Sequence, residues 1–384
     1  MRSMRPLSCV GLLSTILLTA CGSAPASPSS PPAGSTTLTP VASTGDWPAS
    51  TPDAEGLDPA ILGDLVGRIR RGDYGNIDSL LVVRHEKLVV EEYFGARSAA
   101  DVAHTLQSVS KSVTSLITGL AIERGRLRLD DRVVERFPQY APIANMDDRK
   151  ASLTVRDLLT MRDGFDWNES FYTGSPLQRL NDCRCDWIRF MLDWPMREPP
   201  GTRWEYVSGG VILLGAVVGA AVGERIDLFG DRELFAPLGI VGAYWYGGLP
   251  DSLPHTGGGL YMRPRDMAKL GTLMITGGRW QGRAVVSEAW TRESTQRIVV
   301  RPRSFGAHPV DYGYLWWILD LADPMNARPQ AGDIITASGA RGQWIFAVPR
   351  EDLVMVSTAE NGDSPNANRP TDFLYTHVLR AVRH

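Results

Sequence analysis

The chain has 384 residues, of which 43% are hydrophobic, and its 40 Lys and Arg against 43 Asp and Glu give a formal charge of −3. This length and apolar content allow a sizeable core in one large or two modest domains. Basic residues are nowhere concentrated enough to indicate a nucleic-acid partner. No internal apolar run is long enough to span a bilayer. The composition therefore favours a globular domain of enzyme size.

The N-terminus has the pattern of a secretory leader. Arg2 and Arg5 precede the apolar run Val10–Leu18, and Leu-Thr-Ala-Cys follows, ending at Cys21. This ending resembles a bacterial lipoprotein signal, which predicts loss of residues 1–20 and lipidation of Cys21; an ordinary signal peptide with an incidental cysteine is the alternative. Residues 21–45 are rich in Ser, Pro, Thr and Ala and predict a disordered tether before a folded domain at 46–384. We therefore expect an exported lipoprotein that meets the cell-envelope membrane only through its lipid.

Two of the four cysteines are left for the folded domain. Cys9 leaves with the leader and Cys21 takes the lipid, so Cys183 and Cys185 remain. No histidine lies near them in sequence to complete a metal site. In an oxidising compartment the sequence predicts a local disulfide between them.

The hydrophobic pattern predicts strands near both ends of the folded domain and helices between them. The predicted helices are Leu57–Arg70 (capped by Asp58), Ser108–Gly125, Leu153–Arg162 (capped by Thr154), Val211–Val222, Arg263–Gly277, Ser287–Thr295 and Phe373–Val382. The predicted strands are a hairpin over Ser79–Phe94, then Tyr312–Asp320, Gln343–Val348 and Leu353–Ala359. This order indicates an α/β (α+β) domain built from both chain ends around a largely helical insertion at about 125–260.

Ser108 and Lys111 form the pattern Ser-x-x-Lys at the start of an apolar helix. Residues three apart on a helix are neighbours, so Lys111 reaches Ser108 across one turn. Lysine occurs only four times in this arginine-rich chain, and an amine can act as a base whereas a guanidinium cannot. At a helix start, the Ser108 N–H is also an unpaired donor, suited to half of an oxyanion hole. The stretch thus combines a candidate nucleophile, base and oxyanion donor; a solvated helix turn is the alternative.

Two later stretches supply candidate partners. Tyr206, between a Pro-Gly turn and the buried helix, is the candidate second acid/base group, although a tyrosine at the core edge fits the same position. Ser208 follows two residues later. The stretch Ala337–Gln343 (ASGARGQ) enters a predicted strand and can offer a backbone donor without a side chain in the way.

The three stretches SVSK (108–111), PGTRWEYVS (200–208) and SGARGQ (338–343) resemble, in this order, the three motifs of the serine β-lactamase-related family. That family includes class C β-lactamases, penicillin-binding D-Ala-D-Ala carboxypeptidases, family VIII esterases and 6-aminohexanoate-dimer hydrolases, and the last branch is the most similar in detail. The resemblance covers the whole chain after the tether. It implies a β-lactamase/transpeptidase-like fold, with an antiparallel sheet flanked by helices.

The resemblance also implies roles for individual residues. Ser108 would be the nucleophile, Lys111 its base, and Tyr206 the group that protonates the leaving amine or alcohol. The N–H groups of Ser108 and Ala340 would form the oxyanion hole. Acyl transfer to water would need no metal or cofactor. The further residues expected to bind substrate are Ser208, Ser338, Gly339 and Arg341.

Two departures from the β-lactamase pattern bear on the substrate. The second motif has Ser208 where β-lactamases carry Asn, and the third has Ala337 where they carry Lys. Arg341 is a nearby cation of different geometry. We therefore expect a hydrolase of small esters or amides. A carboxypeptidase or weak β-lactamase of the cell envelope, and a non-catalytic envelope binding lipoprotein, are the alternatives.

His255-Thr256-Gly257 imitates a third motif found in some relatives. A predicted helix follows it instead of the strand that the motif requires. We therefore expect this stretch not to serve as the third motif.

Overall fold

The structure, a computed structural model, describes residues 36–95, 99–247, 253–322, 333–362 and 364–383. The predicted leader and Cys21 lie outside these residues. None of the described helices is long and apolar enough to cross a membrane.

The described strands and helices, in chain order, mix α and β structure. The helices are α1 (Pro59–Arg70), α2 (Val109–Glu123), α3 (Asp148–Ser152), α4 (Val155–Leu159), α5 (Pro176–Asp182), α6 (Trp187–Leu192), α7 (Ser208–Val222), α8 (Ile226–Gly230), α9 (Pro264–Ile275), α10 (Glu288–Ser294) and α11 (Arg369–Phe373). The strands are β1 (Ile77–Arg84), β2 (Lys87–Tyr93), β3 (His104–Thr105), β4 (Tyr244–Trp245), β5 (Leu260–Met262), β6 (Arg279–Trp280), β7 (Arg283–Ala284), β8 (Val299–Phe305), β9 (His308–Tyr312), β10 (Trp317–Asp320), β11 (Asp333–Gly339), β12 (Gln343–Val348) and β13 (Leu353–Ala359).

The main sheet has eight strands in the order β2-β1-β13-β12-β11-β10-β9-β8, and all of its neighbours are antiparallel. The N-terminal hairpin thus joins the sheet beside the last strand, so both ends of the domain build one sheet. The predicted fold class is confirmed: an antiparallel sheet is flanked by helices, and helices α3 to α8 lie between its N-terminal and C-terminal strands.

Both faces of the central strands are covered. Every residue of β12 and β13 is buried. On one face, Gly271 of α9 packs against Ile345 and Val354. On the other, the indole of Trp344 donates a hydrogen bond to the carbonyl of Ala367, just before α11. Because successive residues of a strand point to opposite faces, these contacts place helical layers on both sides of the sheet.

The strand predictions need correction in one place and were incomplete in another. The predicted strand Tyr312–Asp320 is the end of β9 and the whole of β10, separated by a turn in which Leu315 has a left-handed backbone (φ 62°). Strands β8 and β11 were not predicted. Most residues of β8 are exposed or half-buried, so its sequence lacks the apolar alternation by which a strand is recognised.

Helix starts follow the predicted caps. The Asp58 carboxylate accepts hydrogen bonds from the N–H groups of Ala60 and Ile61 at the start of α1. Thr154 and Asp157 form a capping box at the start of α4. Helix α4 ends at Leu159, earlier than predicted, because Met161 adopts a left-handed backbone (φ 56°). This turn brings residues 161–169 beneath the start of α7.

Asp163 is a buried acid in this turn, with 1% of its surface exposed. Its Oδ1 accepts a hydrogen bond from the Phe165 N–H (3.1 Å), and its Oδ2 has no hydrogen-bond partner among the described residues. Burial raises the pKa of Asp163 to about 8, although the Phe165 hydrogen bond opposes this change. The carboxyl group is therefore protonated in the folded protein at neutral pH.

We predict that Asp163 makes the protein less stable as pH rises from about 4 to about 8. In this range the unfolded chain has lost the proton that the folded protein keeps, so a rise in pH favours unfolding by at most about 1.4 kcal/mol per pH unit. Asp163→Asn removes this dependence. In thermal unfolding experiments, the Tm of the variant is expected to fall less than that of the wild type as pH rises from 5 to 9.

The exposed Asp101→Asn is the control for the loss of one carboxylate, and it should follow the wild-type profile. Parallel profiles for Asp163→Asn and wild type would contradict the assignment of the pH dependence to Asp163.

Candidate active site

Ser108 lies at the N-terminal end of α2, as the motif predicts. It is half-buried and takes the N-cap position, and no described residue accepts a hydrogen bond from its N–H. The preceding residue, Gln107, has a left-handed backbone (φ 47°), which is unusual outside glycine. Such strained residues cluster at functional sites, where the surrounding structure holds them in place.

Lys111 lies one helical turn after Ser108 and is 2% exposed. Its Nζ donates hydrogen bonds to Ser108 Oγ (3.0 Å) and to the carbonyl oxygen of Gly257 (2.5 Å). It also lies 4.7 Å from the centroid of the Tyr206 ring. No carboxylate lies within ion-pair distance of this nitrogen in the described part of the chain. The geometry therefore fixes one amine between the candidate nucleophile and the candidate acid.

Tyr206 approaches Lys111 from the segment before α7. Its ring is half-buried and stacks on Trp317 of β10, with centroids 6.0 Å apart and an interplanar angle of 20°. The neighbouring backbone is held by Met161, whose carbonyl accepts from the Glu205 N–H (3.0 Å). Within the described residues the Tyr206 hydroxyl makes no hydrogen bond. The ring is thus fixed, and its hydroxyl remains available to a substrate.

The third motif forms the turn between β11 and β12. Gly339 ends β11 and packs so closely against Leu106 and Gln107 that a side chain there would collide with the Leu106 carbonyl oxygen. Ala340 follows directly in the turn. The structure therefore brings Ala340 close to the residues before Ser108, where the second oxyanion donor is predicted. The sequence predicted only the strand that follows this motif, β12. In the structure another strand, β11, also precedes the turn.

Two residues expected to bind substrate also have partners within the protein. The Ser208 hydroxyl donates to Glu169 Oε1 (2.6 Å), and its N–H donates to Glu169 Oε2 (2.9 Å). Arg341 is exposed and forms an ion pair with Glu360 (2.6 Å). Ser338, on β11, is half-buried. Ser208 therefore anchors the start of α7 to Glu169, and its contact with substrate stays a prediction.

Sequence reasoning missed the contribution of the stretch 255–259. The strand β5 directly follows these residues and precedes α9, so the reason for setting His255-Thr256-Gly257 aside was wrong. The Gly257 carbonyl accepts from Lys111, and the Thr256 carbonyl accepts from the Thr114 hydroxyl (3.0 Å). A Cβ at Gly257 would lie 2.8 Å from the Ser208 carbonyl oxygen. The similarity of His255-Thr256-Gly257 to a third motif, together with the strand β5 that follows it, could have identified this segment.

His255 is buried beside this carbonyl. Burial, and secondarily the positive charge of Lys111, lowers the pKa of His255 to about 4. Its Nε2 lies 3.1 Å from Asn181 Oδ1, an acceptor, which assigns the proton to Nε2. The imidazole is therefore neutral at physiological pH and places no second positive charge beside Lys111.

The two remaining cysteines follow shortly after Asn181, the hydrogen-bond partner of His255. Cys183 and Cys185 are joined in a disulfide directly after α5, with Cα atoms 5.2 Å apart. Among the described residues there is no group of three or more His, Cys, Asp and Glu side chains placed to hold a metal ion.

Comparison with known proteins agrees with this geometry. A model of the β-lactamase family matches residues 77–379. The chain is 27% identical over 296 residues to the 6-aminohexanoate-dimer hydrolase of Paenarthrobacter ureafaciens, which covers 73% of this chain and 71% of that protein.

Two solved structures share the fold. A putative 6-aminohexanoate-dimer hydrolase from Bacillus anthracis has a TM-score of 0.64 at 18% identity, covering 81% of this chain and 80% of that chain. EstCE1, a hydrolase with promiscuous acyltransferase activity, has a TM-score of 0.67 at 18% identity, covering 82% of this chain and 97% of that chain. The resemblance inferred from the three motifs is confirmed: the chain belongs to the β-lactamase family and is a serine hydrolase of that family.

Proposed function

We propose that the protein hydrolyses ester or amide bonds of small substrates through an acyl-enzyme on Ser108. The observation that carries this proposal is the 3.0 Å contact between Ser108 Oγ and the buried Lys111 Nζ. Proton transfer needs donor and acceptor within hydrogen-bond reach, and this pair meets that requirement before any substrate binds.

In the proposed first step, Lys111 Nζ takes the Ser108 hydroxyl proton as Oγ bonds to the substrate carbonyl carbon. The carbonyl oxygen becomes an oxyanion, which the N–H groups of Ser108 and Ala340 stabilise. The tetrahedral intermediate collapses when the C–O or C–N bond breaks. Tyr206 donates a proton to the leaving alcohol or amine and is reprotonated by Lys111. The product of this step is the acyl-enzyme.

In the second step, water attacks the acyl-enzyme carbonyl. The proton that the water loses passes through Lys111 and Tyr206 to Ser108 Oγ. Bond formation to water and cleavage of the Ser108 ester release the acid and restore the Ser108 hydroxyl. Lys111 and Tyr206 lie side by side, and both act in each half of the proposed reaction. The relative named a 6-aminohexanoate-dimer hydrolase supports the hydrolysis of small substrates.

A small ester or amide is favoured over a β-lactam by the third motif. Ala337 stands where β-lactamases carry a lysine, and the nearby Arg341 is already paired with Glu360. A substrate carboxylate bound at the third motif would have to compete with Glu360 for that guanidinium.

We predict that a fluorophosphonate labels Ser108. The activated Oγ should attack the phosphorus centre and give a single covalent adduct by intact mass, and Ser108→Ala should give none. Ser304→Ala, at an exposed serine of β8, is the matched control and should still be labelled. An adduct of equal yield on folded Ser108→Ala would contradict the nucleophile assignment.

We predict different effects for the two proton-transfer residues. Lys111→Met should lower kcat/KM about 10²- to 10⁴-fold for all esters, because the base is lost. Tyr206→Phe keeps the ring on Trp317 and removes only the hydroxyl. It should therefore slow alkyl esters and amides much more than 4-nitrophenyl esters, whose leaving group needs no proton.

Tyr312→Phe is the matched control, since that ring also packs on Trp317, with centroids 4.4 Å apart. It should leave the ratio of alkyl-ester to 4-nitrophenyl-ester rates at the wild-type value. Equal losses on both ester classes in Tyr206→Phe would remove Tyr206 as the leaving-group acid.

We also propose that the protein is exported and anchored through a lipid on Cys21, on the basis of the leader sequence alone. Metabolic labelling with a radioactive fatty acid in a bacterial host should mark the full-length protein, and Cys21→Ser should abolish the label. A labelled Cys21→Ser variant, or an unlabelled wild type that is cleaved elsewhere in the leader, would contradict lipidation at this residue.

A further inference from the structure

Arg303 places a second cation on the catalytic tyrosine. It is an exposed residue of the edge strand β8, and its Cζ lies 5.7 Å from the centroid of the Tyr206 ring and 5.6 Å from the Trp317 ring. Lys111 Nζ lies 4.7 Å from the same Tyr206 centroid. The tyrosine is therefore flanked by a buried amine within hydrogen-bond distance of Ser108 and by a guanidinium that faces solvent.

The other cations near the site already have partners. Lys111 contacts Ser108 and Gly257, and Arg341 pairs with Glu360. In contrast, no carboxylate pairs with Arg303 in the part of the chain that the structure describes. An arginine resting on an aromatic ring is common, at about one strong cation–π pair per 70–80 residues. Here the ring belongs to the candidate leaving-group acid, which relates this cation to the reaction.

The distances set an upper limit on how far this cation lies from the nucleophile. The spacings from Ser108 Oγ to Lys111 Nζ (3.0 Å), from Nζ to the Tyr206 centroid (4.7 Å) and from that centroid to Arg303 Cζ (5.7 Å) join end to end. Arg303 Cζ is therefore at most 13.4 Å from Ser108 Oγ. A small substrate bonded to Ser108 can span this distance and present an anion to the guanidinium.

We propose that Arg303 binds a carboxylate on the leaving group, so that the preferred substrates are esters or amides whose alcohol or amine portion is anionic. This proposal rests on the proposed function of Ser108, Lys111 and Tyr206. The leaving group must approach the Tyr206 hydroxyl to receive its proton, and Arg303 lies on that same ring. A guanidinium forms paired, charge-assisted hydrogen bonds with a carboxylate, which gives both affinity and orientation. Arg303 thus supplies a cation from the edge strand β8, whereas the third motif has Ala337 in place of the β-lactamase lysine.

The test compares two acetate esters that differ by one methyl group. One has 4-hydroxybenzoate as its leaving group and carries a carboxylate; the other has methyl 4-hydroxybenzoate and is neutral. Arg303→Gln should lower kcat/KM for the carboxylate ester about tenfold or more relative to the neutral ester, since a charge-assisted hydrogen bond is lost. Arg303→Lys should give an intermediate ratio, because an ammonium cannot bind both oxygens in one plane.

Arg301→Gln is the matched control. It removes the same charge from an exposed residue of the same strand, so it should change the ratio of the two rates by less than about twofold. Higher ionic strength should reduce the preference of the wild type for the carboxylate ester, because Arg303 is exposed. A ratio that Arg303→Gln leaves unchanged, or that Arg301→Gln changes equally, would overturn the proposal.

The failure of this proposal and the failure of the proposed function can be distinguished. Suppose that Ser108 is labelled by the fluorophosphonate and the neutral ester is hydrolysed. A ratio of the two kcat/KM values that Arg303→Gln leaves unchanged then rejects only the role of Arg303. If Ser108 is not labelled and neither ester is hydrolysed, both proposals fail. A larger effect of Arg303→Gln on the pair 4-nitrophenyl hydrogen adipate and 4-nitrophenyl hexanoate would place the anion on the acyl portion and would also overturn the proposal.

Discussion

The fixed position of the Lys111 amine is the constraint on which the site depends. Its nitrogen is held between Ser108 Oγ and the Gly257 carbonyl, inside a helix whose residues from Val109 to Ala121 are all buried. A buried amine costs free energy unless polar groups surround it, so its hydrogen bonds determine which arrangement of the neighbouring segments is stable. The sheet, the helical region and the segment before β5 must all meet at this point.

Polar side chains of α2 hold those segments together. The Ser110 hydroxyl accepts from the Leu260 N–H (3.0 Å), and Thr114 donates to the Thr256 carbonyl. Thr256 in turn donates to the Val211 carbonyl of α7 (2.8 Å). These hydrogen bonds are buried, and a buried donor or acceptor without its partner would cost free energy of folding. They fix the Gly257 carbonyl relative to Lys111, and they fix α7, which begins two residues after Tyr206.

The sequence allowed the local part of this site to be predicted. Ser108 and Lys111 are related by helical spacing, and the hairpin and capped helices are encoded by residues close in sequence. The Gly257 carbonyl lies 146 residues from Lys111, and a backbone group carries no side-chain signature. Glu169 was missed for a related reason, since its partner Ser208 is 39 residues away. Contacts of this kind depend on how segments pack, which the pattern of a single segment does not determine.

The edge strand β8 illustrates the same limit and has a functional consequence. Its sequence, VVRPRSF, is mostly exposed and lacks the alternation of apolar and polar residues by which a strand is recognised. Only its pairing with β9 brings Arg303 over the rings of Tyr206 and Trp317. An edge strand pairs on one side only. Its exposed residues can therefore be substituted without disturbing the buried contacts of Lys111. Under the two proposals, the chemical step depends on the buried centre of the domain, whereas the choice of leaving group depends on a residue of the edge strand. Ala337 at the position of the third-motif lysine is then compatible with the Ser108–Lys111–Tyr206 arrangement, because the proposed anion-binding residue lies on a different element from the Ser108–Lys111 pair.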